Sequence, residues 1–273
     1  MPPRIIVGRA VSPLAGHSDM YAFLRRPSWL MLHVVVLAII VAFLLLGRWQ
    51  LERLDQRRAE NAVIAAHLAA SPVEWSKTSS GRPPEYSRLL IAGAFAPDEE
   101  VLLRSQVNQG QPGFDVLTPL YVDEIAAVVV NRGWVPLEFD APPVAQALPP
   151  ADVVTVEGIV RYPLTGSNLA TTAGAVGKLD IVARVDLERL DGQIGGDLAT
   201  FYVELTSLSP PGTSQPIPAG IPEVSEGSHL SYAVQWFSFA LVSTIGYAAL
   251  IRSTARRRAG LRRRAGSPPL APS

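Results

Sequence analysis

His229 is the residue of this chain best placed for ligand chemistry. It stands at the mouth of an uncharged run of twenty-one residues, Ser231 to Ile251 (SYAVQWFSFALVSTIGYAALI), with Ser228 before it as a candidate N-cap. A neutral imidazole can serve as an axial metal ligand, and Tyr232 and Trp236, three and seven residues on, fall on the same helical face. The competing reading is an interfacial histidine in an aromatic belt, and residue types alone leave both open. A second candidate lies in Asn131-Arg132-Gly133-Trp134. There Asn131 and Gly133 read as turn-forming residues, while the planar guanidinium of Arg132 could grip a carboxylate of a ligand or a partner. Trp49, Arg53, Gln56 and Glu60 recur at helical spacing, either as solvated charges beside an interfacial Trp or as a docking face.

Other chemistry finds no support. The chain has no cysteine, which excludes a disulfide framework, a thiolate metal site and a Cys nucleophile. Met1, Met20 and Met31, the only methionines, lie outside the central region, so soft ligands for Cu(I) are missing where a copper carrier would need them. Phosphate loops, paired-His metal spacings and nucleophile elbows are absent, and an enzyme is not expected. The acids Asp98-Glu99-Glu100 read as a solvated turn.

The elements that position these residues begin with two apolar runs. Trp29 to Leu46 holds eighteen uncharged residues, too long for a signal-peptide core, and no small-residue cleavage site follows it. Ser231 to Ile251 is the second, and each is long enough to cross roughly 30 Å of hydrocarbon as a helix. They divide the chain into a leader (1–28), a first span (29–46), a central region (47–230), a second span (231–251) and an Arg-rich tail (252–273). A mean hydropathy of +0.21 thus reflects concentrated, not spread, apolar character. The formal charge of zero conceals an asymmetry: the ends outside 47–230 carry eleven Arg and one acid, Asp19, and the region itself carries 13 basic and 23 acidic residues. That pattern predicts both termini in the cytoplasm and an exported central domain. Beside a spanning helix the arginines fit topology and anionic lipid, and nucleic acid is not an expected partner. With 22 Arg against two Lys in an Ala-rich chain, composition resembles that of a GC-rich bacterium and points to a plasma membrane, although an Arg-rich leader is also a mark of mitochondrial import.

After the first span, strong helix formers continue to Pro72, predicting helix over 47–70. From Tyr86 the pattern becomes short β-type runs: 86–95, 100–106, 114–122, 125–131, 152–161 and 201–208, with a short helix over 185–190. Turn residues, among them Gly110-Gln111-Pro112-Gly113, separate the runs. The expected fold is therefore two transmembrane α-helices flanking an extracytoplasmic α+β, mainly antiparallel β domain, barrel- or sandwich-like. Three irregular stretches, 141–150, 165–178 and 209–227, interrupt it, the last a Pro-rich spacer. In the second span Ala240, Ser243, Thr244 and Gly246 offer small surfaces for the first helix or for a partner's helix.

Four strings occur in order: Gly47-Arg48-Trp49-Gln50-Leu51-Glu52-Arg53, Gly113-Phe114-Asp115-Val116-Leu117-Thr118-Pro119-Leu120, Val130-Asn131-Arg132-Gly133-Trp134-Val135-Pro136, and His229-Leu230-Ser231-Tyr232-Ala233-Val234-Gln235-Trp236-Phe237. Together with the two apolar runs, they make the chain from about residue 40 to 251 resemble the surfeit-one (Surf-one, or Shy-one) family of cytochrome oxidase assembly factors. The resemblance implies a membrane-embedded factor without enzymatic activity, acting on the catalytic subunit and other subunits of a cytochrome c oxidase and linked to insertion of haem a. It implies a haem site built on His229 with Tyr232, Trp236 and Arg132, His229 ligating the iron. Contacts to the oxidase would come from Trp49, Arg53, Asn131, Trp134 and Ser243. Two departures stand out: Gly227 replaces the Asn that the family usually carries two residues before the His, and a small-residue loop ending Gly177-Lys178 replaces one that often carries Asn and Trp. A rival reading is a permanent accessory subunit bracing a respiratory oxidase or supercomplex. A membrane sensor is disfavoured, because the 22 residues after Ile251 hold no room for a folded output domain.

Overall fold

The computed structural model describes residues 21–76, 81–123, 126–163, 178–194 and 197–265, with side chains to Leu261. Most of the leader, the loop 165–177 and the end of the tail lie outside the described residues. The chain divides into two compact units, Met1–Arg58 with Glu226–Ser273, and Ala59–Ser225.

The first unit is a pair of long helices. Helix α1, Pro27–Ala69, is unbroken for 43 residues, about 65 Å at 1.5 Å per residue, so its apolar first half leaves a polar half beyond any bilayer. Its last turns belong to the second unit. A second long helix, His229–Ala265 and called α3 below, begins on His229. Both helices are long and apolar enough to cross a membrane, and only 6% of each apolar window is buried, which separates them from core helices of a soluble protein. They run antiparallel. His33 Nδ1 meets the Tyr247 hydroxyl, Phe43 stacks on Trp236 with ring centroids 5.7 Å apart, and the bidentate pair of Arg58 with Glu226 closes the other end. Gly47 lets Phe237 in: a Cβ there would stand 2.8 Å from the ring. His33 is therefore hydrogen-bonded, its Nε2 lying 3.3 Å from the Leu24 carbonyl.

The second unit is a mixed sheet of eight strands in the order β1-β2-β6-β8-β5-β4-β3-β7. The strands are β1 (Val73–Glu74), β2 (Arg88–Phe95), β3 (Val101–Asn108), β4 (Gln111–Tyr121), β5 (Ala126–Pro136), β6 (Val154–Arg161), β7 (Ile181–Val182) and β8 (Asp197–Ser209), with helix α2 over Leu187–Ile194. An additional pairing of β2 with β4, at Ala94–Tyr121 and Phe95–Leu120, closes a circuit β2-β6-β8-β5-β4. The six expected strands are present. The sheet is not wholly antiparallel, however, because β5 runs parallel to β8, β1 to β2 and β3 to β7. The parallel pairing explains the apolar character of β5. Val128 and Val130 enter one core with Ile91, Val156 and Val203, while Ala127 and Val129 enter another with Leu117, Leu190 and Ile194. Both faces of the strand are covered, so alternation disappears.

Two local expectations change. Gln111, Pro112 and Gly113 are strand residues, and the β3–β4 turn is Gln109-Gly110, both at positive φ, as a two-residue hairpin requires. Asn131-Arg132-Gly133 does not end a strand but lies inside β5, where the register against β4 shifts between Asp115 and Leu117. Gly133 sits at φ +122, and an added Cβ would fall 2.1 Å from the Ile217 carbonyl oxygen. The Pro-rich stretch 209–227 is thus tied to the sheet, through the mutual backbone bonds of Ile217 and Trp134 at 2.7 and 2.9 Å.

Candidate functional site

In the first unit, His229 opens α3, where the Ser228 carbonyl accepts the Tyr232 N–H at 3.1 Å and the Ser231 hydroxyl at 2.7 Å. Gly227, at φ +69, turns the chain into the helix beside the imidazole. The ring is half-buried, and its Nδ1 lies 3.0 Å from Oε1 of Gln50 on α1. An amide oxygen only accepts, so in this contact the Nδ1–H donates to Gln50. Gln50 is itself buried. A side chain from the facing helix thus does for His229 what the neighbouring Gly227 has no side chain to do.

Along α3 from His229, Tyr232 is exposed and Trp236 joins an aromatic cluster with Phe43 and Phe239, centroids 5.7 and 5.8 Å away. Buried Ala233 and Ala240 and half-buried Ser243 mark the packed side of this helix. On α1, Trp49 is exposed, Arg48 pairs with Glu52 at 2.9 Å, and Arg53 donates to Gln56 at 2.7 Å. Arg53 follows Gln50 by one turn and its side chain faces solvent. The site thus brings together an imidazole bonded to a buried amide, an exposed tyrosine one turn along the same helix, and an exposed Arg53 one turn from Gln50 on the facing helix. Among the described residues no cluster of three His, Asp or Glu could hold a bare metal ion.

The second unit holds the other group. Arg132 is buried, with Nη1 3.2 Å from Glu100 Oε2 and Nη2 donating to the Ala147 carbonyl at 2.5 Å. Glu100, which the sequence reading placed in a solvated turn, is buried too. It accepts from the Thr118 hydroxyl at 3.0 Å and from the Val144 N–H at 2.8 Å. Burial pushes the Glu100 carboxyl up and pulls the Arg132 guanidinium down to about 10, against their mutual attraction. The Pro-rich stretch 141–150 therefore supplies both ions with backbone partners. Asn131 donates to Asp115 Oδ2 at 2.9 Å and accepts the Gly133 N–H at 3.0 Å, while the Trp134 indole lies over Gly113 with its N–H buried and unpartnered.

The residues read as one haem site thus fall into two groups. His229, Tyr232 and Trp236 share a helix in one unit, whereas Arg132 lies in the other with its donors turned inward. Asn131 and Trp134 are likewise buried in the second unit, and Trp49 and Arg53 are exposed in the first. Gln50 was missed, although it lies within the quoted Gly47–Arg53 string. No local signal could have joined it to a residue 179 positions away.

The comparisons with known proteins agree with one another. Residues 37–241 match the model of the SURF1 family. A SURF1-like protein of Mycobacterium bovis is 32% identical over 264 residues, covering 91% of this chain and 92% of the relative. One of Rickettsia bellii is 25% identical over 230 residues, 82% of this chain and 92% of its own length. The cytochrome oxidase assembly protein SHY1 of Saccharomyces cerevisiae is 27% identical over 126 residues, which are 43% of this chain and 32% of the yeast protein.

Proposed function

Because the chain belongs to the SURF1 family, we propose that it is an assembly factor for a haem a-containing cytochrome c oxidase, anchored in a bacterial plasma membrane by α1 and α3. In this reading both helix ends rich in Arg face the cytoplasm, and Ala59–Ser225 faces outward, where it meets an oxidase catalytic subunit under construction. The yeast relative's role in cytochrome oxidase assembly supports the partner class.

The observation that carries the site is the bond from His229 Nδ1 to Gln50. That bond would hold the ring in place and favour the tautomer that leaves Nε2 for a ligand, as amides and carbonyls bonded to metal-bound histidines do. Haem a, when bound, would supply an iron that takes a nitrogen ligand and a large apolar ring. His229 would offer that nitrogen, Tyr232 and Trp236 would cover the ring, and Arg53 would take a propionate through its guanidinium. Single-sided ligation by one imidazole suits release to a partner with a stronger pair of ligands. Trp49 supplies a surface for the oxidase, whereas Ser243 lies on the packed side of α3 and Arg132, Asn131 and Trp134 serve the framework.

The test is His229→Ala, purified after co-expression with haem a synthesis. Loss of the haem spectrum with the α-helical circular dichroism retained supports the role, and a spectrum equal to the parent's removes it.

A further inference from the structure

Helix α3 does not stop where its apolar run stops. It continues through Ala265, so Arg252, Arg256, Arg257 and Arg258 stand on a continuous helix in the two turns that follow the apolar run. One face of this stretch carries a groove of about 670 Å³, whose described lining is Ile245, Ala248, Ala249, Arg252, Ser253 and Arg256. The spacing is that of a single helical stripe: residues 245, 249, 252 and 256 follow one another by four, three and four positions. Its apolar end is Ile245, 60% exposed, its floor is two alanines, and its polar end is two exposed arginines one turn apart. The Ser253 hydroxyl is turned back to its own helix, on the Leu250 carbonyl at 3.0 Å. Among the described residues neither Arg252 nor Arg256 has a carboxylate partner. Arg258, on another face, lies over the Phe23 ring at 4.7 Å.

We infer that this groove holds one anionic phospholipid of the surrounding bilayer. The phosphodiester lies between the guanidiniums of Arg252 and Arg256, and an acyl chain runs along Ala248 and Ala249 to Ile245. Two adjacent planar forks match the oxygens of a phosphate, and both arginines are positioned at headgroup depth. Alanine side chains leave the backbone open to a chain of methylenes, while Ile245 extends the apolar contact into the hydrocarbon. Charge complementarity selects the occupant. A protein helix in this groove would have to bring carboxylates for both arginines to the bilayer surface, whereas an acidic lipid carries its charge there already. Among the described residues the lining belongs to α3 alone and does not include His229.

The experiment is native mass spectrometry of the full chain in non-ionic detergent, titrated with phosphatidylglycerol or phosphatidylcholine. The parent is expected to retain one phosphatidylglycerol in preference to phosphatidylcholine and to keep it against excess inorganic phosphate. Arg252→Gln with Arg256→Gln should weaken retention roughly 30-fold, about fivefold for each charge lost. Arg257→Gln with Arg258→Gln removes the same charge from other faces, on average about one turn further along the helix, and should retain lipid like the parent. Ala249→Phe keeps both arginines but fills the floor, and should also lose the lipid. Equal losses in the two double variants, equal retention of the zwitterionic lipid, displacement by inorganic phosphate, or a co-purifying protein in place of lipid would each overturn the inference.

Discussion

At the level of single residues, Gln50 matters because its buried amide is the side-chain partner of His229 Nδ1. Gln50→Leu should leave the imidazole in place but unaimed, and lower haem affinity roughly 10- to 100-fold, as outer-shell losses at metal sites do. The check is a haem titration of the purified variant beside His229→Ala, and binding equal to the parent's would rule out positioning by Gln50. Arg132 and Glu100 call for a different test, since both are buried and each satisfies the other. Arg132→Ala should cost about 3–5 kcal/mol of domain stability by stranding the carboxylate, and Arg132→Met with Glu100→Leu should recover most of it, measured by denaturant unfolding in detergent. Asp115 gives a pH signature. Burial raises its carboxyl despite the Asn131 hydrogen bond, so folding takes up a proton. Its stabilisation is complete below the unfolded value of about 4 and is lost as pH climbs through the raised folded value. Asp115→Asn should therefore flatten part of the fall in stability above pH 4. Arg132 was ambiguous in sequence because its partner lies 32 positions away, in a run of acids that looks solvated.

Among the elements, β5 shows what hydrophobic pattern can and cannot reveal. The Ala126–Val130 run announced a strand, but a run without alternation does not say which neighbours cover it, and the parallel β8 arrives from seventy residues on. The short β1 and β7 were invisible, since two residues carry no period. Gly133 was read correctly as needing backbone freedom but for the wrong structure: the strand continues through it, and the Ile217 segment presses against it. Gly133→Ala should cost about 1–3 kcal/mol from φ alone, with the clash on Ile217 added, and unfold the second unit at lower denaturant. A variant as stable as the parent would mean that the segment moves aside freely. The two long helices were legible because eighteen or more uncharged residues have few alternatives. Their pairing was not, since it depends on Gly47 admitting Phe237 and on side chains meeting across more than 160 positions.

For the molecule as a whole, the antiparallel helices place Pro27 and Ala265 at the same end of the pair. Reporter fusions before Pro27 and after Ala265 should therefore report one side of the membrane, the cytoplasm by the arginine asymmetry, and a fusion within Ala59–Ser225 the other. A cytoplasmic reading for Ala59–Ser225 would contradict the proposed export of this domain. The central claim is that this chain helps to build a haem a enzyme, and it is tested most directly by deleting the gene in its own host and recording reduced-minus-oxidised spectra of the membranes. Loss of the haem a band with other cytochromes intact, restored by the parent chain and not by His229→Ala, is expected; an unchanged haem a band in the deletion strain would rule the assembly role out.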